Sequence, residues 1–354
     1  MYRRKFISSV AALSALSLIP RQMNAAAKTA LLNPPQEDLQ VIKPPRLKKG
    51  DTVALVAPGG YLRKGELKDS VDNLEKLGFK VVYTEKINKR YGYLAGHDEE
   101  RAADLMEMFT RKDVDAIMCA RGGYGSTRIL HMLDYNLIKS NPKILIGYSD
   151  ITALLNAIFE KTGLIGFHGP VGISTFNDFS LYYFNNILYG LQDDLTLWSA
   201  KDEKPDLPER KITVIRSGKC KGRLAGGNLS LMAAMVGTPF DINTDGKIIF
   251  LEEISEKPYR VDRMLTQMIS AGKFSKAAGI ALGVFDKCVP DDKDNDESLS
   301  VMEVIFDRLY SLGIPVIYGL SFGHITNKFT LPVGINAELD VNNQVVRLLE
   351  KAVV

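Results

Sequence analysis

Five side chains in this sequence are of the type and setting that acyl-transfer chemistry uses. Ser149 stands in Gly147-Tyr148-Ser149-Asp150, between a short apolar run and a segment with helical spacing. A serine at such a sharp strand-to-helix turn presents its hydroxyl above a sheet, with helix N–H groups behind it. Ile151 occupies the place of the last glycine in the G-x-S-x-G form of that turn, and Ser149 or Asp150 can equally serve only as a helix cap. His324, in Phe322-Gly323-His324-Ile325, and His168, in Phe167-His168-Gly169-Pro170, each lie beside an apolar run. Each can act as a base or as a hydrogen-bonded structural ring. Glu252 and Glu253 follow the run Lys247-Ile248-Ile249-Phe250-Leu251, where a carboxylate can orient an imidazole or simply face solvent. The ingredients of a hydroxyl–imidazole–carboxylate triad are present, and nothing local shows that they meet.

Other chemistries find less support. The turn Arg121-Gly122-Gly123-Tyr124-Gly125 follows an apolar run, and its backbone N–H groups can receive an anion. It lacks the G-x-G-x-x-G order of a dinucleotide site, and the chain has no G-x-x-x-x-G-K-[ST] loop. The four histidines, His97, His131, His168 and His324, show no H-x-x-x-H spacing, and no two cysteines are close enough in sequence for a zinc site. Neither a metal nor an organic cofactor is expected.

The elements that must position these residues alternate between strand and helix. Thr52-Val53-Ala54-Leu55-Val56-Ala57 reads as a buried strand ending in the turn Pro58-Gly59-Gly60. Residues 64–77 have helical spacing, Lys80-Val81-Val82-Tyr83 is strand-like, and Asp98 can cap a helix through Met108. Val114 to Ala120 and Ile144 to Gly147 are further strands, the latter leading through Ser149 into a helix near 150–161. That alternation predicts a parallel sheet with helices on both faces. Beyond the polar stretch 199–210 the pattern becomes mixed, with strands expected at 212–216, 247–251, 278–284 and 335–341 and helices near 228–236, 258–271 and 297–311. The chain of 354 residues exceeds what one core usually supports, so two domains are expected, at 49–198 and 211–354, joined by a linker at 199–210.

The first residues read as an address. Arg3-Arg4-Lys5 precede a mildly apolar run from Phe6 to Ile19, and Ala25-Ala26-Ala27 offers small residues for cleavage. Arg3-Arg4-Lys5-Phe6-Ile7 also resembles a twin-arginine export pattern, with an ordinary secretory signal as the alternative. Residues 1–27 are therefore expected to be an export signal and 28–48 a lead segment, with a periplasmic mature protein and no stable membrane anchor. If the signal is not used, the protein stays in the cytoplasm. Removing the four bases of residues 1–27 from the total of 45 leaves 41 against 42 acids, a formal charge of −1. No basic nucleic-acid footprint remains. Cys119, Cys220 and Cys288 are an odd number and no disulfide framework; Cys119 reads as a buried thiol, and a single Cys220–Cys288 bridge stays open.

Several segments together resemble the LD-carboxypeptidase family of muramoyl-tetrapeptide carboxypeptidases and microcin-immunity peptidases. They include Val56-Ala57-Pro58, Tyr93-Leu94-Ala95-Gly96, the turn Arg121 to Gly125, Gly147 to Leu154, and His168-Gly169-Pro170. Gly226-Gly227-Asn228-Leu229, Phe250-Leu251-Glu252-Glu253, Pro258 to Leu265 and Phe322-Gly323-His324 continue the set in order. The resemblance implies an N-terminal flavodoxin-like or amidotransferase-like α/β domain and a smaller mixed C-terminal domain. It implies a triad of Ser149, His324 and Glu252, with Glu253 a weaker match for the acid and His168 outside the triad. Oxyanion-hole candidates are the backbone N–H groups of Gly122, Gly123 and Asp150. The implied activity is serine carboxypeptidase cleavage before the terminal D-Ala of a wall stem tetrapeptide, on a small peptide or muropeptide, by a homodimer. Two rivals stand beside it: the same triad acting on peptide-nucleotide antibiotics or other acylated amines, and a non-catalytic wall-peptide binding protein.

Overall fold

The first half of the chain builds a parallel sheet because its apolar runs are short, uninterrupted and separated by helices. The computed structural model describes residues 39–200, 210–291 and 297–354. The signal read in residues 1–27, the first part of the lead segment and most of the linker at 199–210 lie outside the described residues. From Thr52 the order is β1 (Thr52–Val56), α1 (Glu66–Lys76), β2 (Lys80–Val82), α2 (Asp98–Thr110), β3 (Ala116–Cys119), α3 (Ser126–Ile129) and α4 (Tyr135–Ser140). β4 (Ile144–Gly147), α5 (Thr152–Thr162), β5 (Gly166–His168) and α6 (Asp178–Leu188) follow. β1 to β5 are mutually parallel in the spatial order 2-1-3-4-5, the flavodoxin-like arrangement. β3 and β4 are buried along their whole length, as central parallel strands require. His97 rather than Asp98 holds the N-cap position of α2. Asp98 is instead the first helical residue, and its carboxylate accepts from Arg101 and, at 2.8–3.0 Å, from Arg128.

The second half continues with β6 (Leu195–Trp198), β7 (Thr213–Arg216), β8 (Lys219–Asn228), α7 (Leu229–Met235), β9 (Ile248–Ile254), α8 (Pro258–Ser270) and β10 (Gly279–Asp286). α9 (Val301–Leu309), β11 (Val316–Leu320), β12 (Leu331–Val333), β13 (Asn336–Asp340) and β14 (Val345–Leu348) complete it. Its eight-stranded sheet has the order β6-β14-β13-β8-β9-β10-β11-β7. β8 to β11 are parallel, and the flanking strands are antiparallel. The architecture is therefore mixed α/β, with a parallel sheet in the N-terminal region and a second, mixed sheet in the C-terminal region. Two strands cross the division. β6 pairs with β14 in the second sheet, and β12 pairs with β5 as the antiparallel edge of the first. Among the described residues no helix is long and apolar enough to cross a membrane.

α5 is the element that ties the two sheets together. It is buried over most of its length, as expected of a helix enclosed between two sheets. It packs on β5 of one sheet and on β8 of the other. Two of its buried polar residues face β8. Asn156 donates to the carbonyl of Gly226 at 2.8 Å and accepts from the Gly226 N–H at 3.3 Å. Thr152 Oγ1 accepts from the Asn228 N–H at 2.9 Å. Gly226 and Gly227 both have φ +139°, and a Cβ on Gly227 would lie 2.4 Å from Thr152 Oγ1; only glycine permits this backbone and this approach. Thr152→Val, close to isosteric, leaves the buried Asn228 N–H without its acceptor. Urea denaturation is expected to show a loss of about 1–3 kcal/mol with an unchanged m-value. An unchanged midpoint would remove the contact from the account.

Candidate active site

Ser149 follows β4 in a single 3-10 turn, Ser149–Ile151, that feeds directly into α5. Its φ of +63° is one of few positive values outside glycine, the strained backbone expected of a side chain thrust out at a strand-to-helix turn. The turn after β3 lies against it: a Cβ on Gly122 would be 3.0 Å from Ser149 Cβ and 3.2 Å from Oγ. That turn is pinned from several sides. Gly60, after β1, donates its N–H to the Gly122 carbonyl at 3.1 Å. The buried Arg101 guanidinium donates to the carbonyls of Pro58 and Gly125. Asp150, beside Ser149, accepts from the N–H groups of Gly125 at 3.2 Å and Ser126 at 2.9 Å. Burial pushes its carboxyl up, against the pull of those bonds and of Arg101. The backbone N–H groups of Gly122, Gly123 and Asp150 donate to no acceptor among the described residues.

The second sheet brings a histidine and an acid together. Glu252, near the end of β9, is opposite Asn228 of β8 in the parallel register. Its Oε2 lies 2.7 Å from His324 Nδ1. Glu252 is fully buried while the His324 side chain keeps 15% exposure, so the ring can still be reached from solvent. Burial would raise the Glu252 carboxyl, and the charge and hydrogen bond of His324 bring it below its ordinary value instead. Gly323, with φ +109°, makes the contact possible: a Cβ there would sit 3.0 Å from Glu252 Cβ and Oε2. Glu253 points the other way, as strand alternation requires. It accepts from Asn228 Nδ2 at 3.0 Å and from the N–H and hydroxyl of Ser230 at 2.8 Å, at the start of α7. Of the two adjacent acids, Glu252 meets the histidine and Glu253 fastens a helix.

Tyr148 links these parts. Its ring is edge-on to His324, with centroids 4.9 Å apart, and edge-on to His168 at 6.1 Å. Ser149 Oγ and His324 share no hydrogen bond among the described residues; the two groups are brought into one neighbourhood by Tyr148 and by the docking of α5. His168, on β5, is fully buried, and its ring nitrogens have no hydrogen-bond partner among the described residues. Burial lowers its pKa to about 4, so the ring is neutral at pH 7. His97 stacks on Tyr91, and His131 lies on the surface away from these groups. All three cysteines are free thiols, which closes the Cys220–Cys288 question in favour of no bridge. Among the described residues no three His, Cys, Asp or Glu side chains are grouped to hold a metal.

One residue of this neighbourhood escaped the sequence reading. Lys328 is only 7% exposed, and its Nζ lies 4.4 Å from the centre of the Tyr148 ring. Burial lowers its pKa to about 8, with Glu252 pulling in the opposite direction. A lone lysine in the polar stretch Thr326-Asn327-Lys328 carries no local sign that packing will enclose it.

Comparison with known proteins agrees with this architecture. Residues 53–169 match the LD-carboxypeptidase N-terminal domain, and residues 221–339 match the LD-carboxypeptidase C-terminal domain. A probable murein peptide carboxypeptidase of Bacillus subtilis strain 168 is 40% identical over 298 residues, 84% of this chain and 91% of that protein. A structure of MccF in complex with glutamyl sulfamoyl guanosine superposes with a TM-score of 0.79 at 27% identity, covering 88% of this chain and 99% of that one. The muramoyltetrapeptide carboxypeptidase of Oxalobacter formigenes gives a TM-score of 0.72 at 34% identity, over 84% and 97% of the two chains.

The enclosed lysine gives the neighbourhood a measurable signature. Between about pH 8 and 10.5, Lys328 is neutral in the folded protein and still protonated in the unfolded chain. The unfolded state then binds more protons, so stability rises with pH across that window. Relative to Lys328→Met, the parent is expected to gain about 2–3 kcal/mol from pH 7 to pH 10.5. Urea titrations of both proteins at the two pH values check this, and parallel pH curves would refute it.

Proposed function

The chain belongs to the LD-carboxypeptidase family, and from that premise we propose that it hydrolyses the L,D-peptide bond before the terminal D-Ala of wall stem tetrapeptides through an acyl-enzyme on Ser149. The observation that carries the reading is the pairing of His324 Nδ1 with the fully buried Glu252 at 2.7 Å. A carboxylate held there fixes the imidazole with its proton on Nδ1 and leaves Nε2 free to accept one. In the reaction, Nε2 takes the Ser149 proton as Oγ attacks the carbonyl carbon. The same proton then passes to the amine of D-Ala as the C–N bond breaks. Water attacks the ester by the reverse proton path and returns the serine. Negative charge on the carbonyl oxygen is received by the N–H groups of Gly122, Gly123 and Asp150, whose lack of other acceptors supports this role. The positive φ of Ser149 supports its part as nucleophile.

Relatives named for murein peptide and muramoyltetrapeptide carboxypeptidase activity support a wall peptide as substrate. The likeness to MccF bound to glutamyl sulfamoyl guanosine favours a second substrate class, an aminoacyl group joined to a nucleoside. Mass spectrometry of the purified protein with a defined stem tetrapeptide, and in parallel with glutamyl sulfamoyl guanosine, separates them. Release of D-Ala by the parent is expected to fall by about 10⁶-fold in Ser149→Ala and His324→Ala, and by about 10⁴-fold in Glu252→Gln. Equal release by parent and Ser149→Ala would overturn the triad. Cleavage of the nucleoside compound alone would transfer the reading to MccF-type chemistry, and tight peptide binding without turnover would make the protein a binder.

The signal read in residues 1–27 adds the proposal that this hydrolysis takes place outside the cytoplasmic membrane. Arg3→Lys with Arg4→Lys is expected to retain the protein in the cytoplasmic fraction. Unchanged export of the double variant would point to an ordinary secretory signal, and a parent found only in the cytoplasm would remove the proposal.

A further inference from the structure

A cavity of about 520 Å³ opens beside the Ser149 turn, lined by Tyr61, Arg63, Tyr93, Arg121 and Tyr124 above a floor of glycine. Its position follows from the sheet order. In a parallel sheet of order 2-1-3-4-5 the strand sequence reverses between β1 and β3, and the loops leaving those two strands diverge to form a crevice. Here those loops carry Gly60 and Gly123, which are the cavity floor. Gly60 donates to the Gly122 carbonyl, and Gly122 lies against Ser149. A peptide whose reacting carbonyl sits at Ser149 therefore has neighbouring residues over this floor.

The walls state what those residues must be like. Tyr93 and Tyr124 are 63% and 51% exposed, yet their rings pack edge to face at 5.6 Å. Paired exposed aromatics on a cavity rim are a surface made to be covered. Three arginines lie at this cavity or against its Tyr61 wall, and two are already engaged. Arg121 donates to the Tyr61 carbonyl and to Glu66, both at 3.1 Å, and Arg90 lies 4.1 Å above the Tyr61 ring. Glu66 is itself taken up by Arg121 and by the backbone N–H of Arg63 at 2.7 Å. The Arg63 side chain is exposed and pairs with no carboxylate among the described residues. The cavity thus offers one uncommitted guanidinium fork, which suits a carboxylate held through two hydrogen bonds.

We infer that this cavity is the subsite for the acyl side of the substrate, and that Arg63 selects peptides carrying a free D-glutamyl carboxylate there. The inference rests on the reading that Ser149 attacks a stem peptide. The volume favours the acyl side, because the leaving residue is a single alanine and fills only a small part of the space. The acyl side of a stem tetrapeptide is three residues long and includes D-glutamate, whose carboxylate is either free or amidated. Arg63 distinguishes the two, since a carboxylate offers an acceptor to both arms of the fork, whereas an amide keeps one acceptor oxygen and turns an N–H donor to the other arm.

The test measures kcat/KM for D-Ala release from two tetrapeptides, one with the D-glutamyl carboxylate free and one with it amidated. The parent is expected to favour the free acid by about tenfold or more. Arg63→Gln is expected to lower kcat/KM on the free acid by about ten- to a hundredfold, mainly through KM, and to erase the preference. Arg63→Lys recovers part of it, and Lys64→Gln, which removes the same charge one residue along, keeps the parent's preference. Calorimetric binding of both peptides to Ser149→Ala, with and without Arg63→Gln, reads the subsite independently of chemistry. Turnover of both peptides without discrimination, or an equal effect of Arg63→Gln on each, overturns the subsite and leaves the hydrolytic reading standing. Tighter binding of the free acid that depends on Arg63, in a parent that releases no D-Ala from either peptide, leaves the subsite and removes the hydrolytic reading. Absence of both binding and release removes both.

Discussion

The geometry of this molecule hangs on how one buried helix is seated. α5 begins three residues after Ser149, and its first turn and second polar residue are bonded to the backbone of β8 at Gly226 and Asn228. Asn228 is the residue opposite Glu252 in the neighbouring strand, and Glu252 holds His324. The serine on one sheet and the acid–imidazole pair on the other are therefore separated by a short run of fixed contacts, not by a loop. The proposed mechanism, which joins groups from two sheets, needs such a seat, because a displacement of about an ångström is enough to spoil proton transfer and attack. Polar contacts through an otherwise apolar interface also fix register, since sliding the helix by one residue would bury unpaired amides.

Two pairs of acids illustrate how environment rather than residue type assigns roles. Glu252 and Glu253 are adjacent, both buried, and displaced in opposite directions from the ordinary carboxyl value, down for Glu252 and up for Glu253. Burial opposes charge on both; only Glu252 has an imidazole to offset it. Asp150 and Asp98 show the same contrast in the other half. Asp150 is enclosed and answers backbone N–H groups, whereas Asp98 is more exposed and draws two arginines. Each of these four acids secures a turn, a helix start or a ring, and the enclosing dielectric decides whether it does so with full charge.

Much of this was legible in the residues, for identifiable reasons. The strand Ile144–Gly147 and the turn at Ser149 follow from an apolar run of strand length closed by glycine, and β1, β3, α1 and α8 lie within two or three residues of where periodicity puts them. β8 was not expected at all, because Lys219-Cys220-Lys221-Gly222-Arg223 has no apolar run to announce a strand. The short strands β6, β12 and β14 take their identity from distant partners, which local pattern does not carry. The choice of Glu252 over Glu253 came from the resemblance alone, since alternation says that they diverge but not which one faces His324. Lys328 and Arg63 carried no signal at all: what matters about the first is its enclosure, and about the second its freedom from partners, and both are properties of the assembled surroundings.

The exchange of strands between the sheets carries a consequence for how the protein comes into being. β5 bears His168 and forms the edge of the parallel sheet until β12, more than 160 positions later, pairs with it. A chain emerging from the ribosome thus finishes its first sheet only when nearly all of its length has been made. Until then a row of backbone amides stays open to any passing strand, and synthesis slow relative to collapse leaves it open for seconds. His324, the base of the proposed mechanism, sits in the loop leading into that same strand, so on that reading the site is assembled only as the sheet is completed. An unfinished copy therefore carries an exposed sheet edge that the finished one has covered with its own late strand.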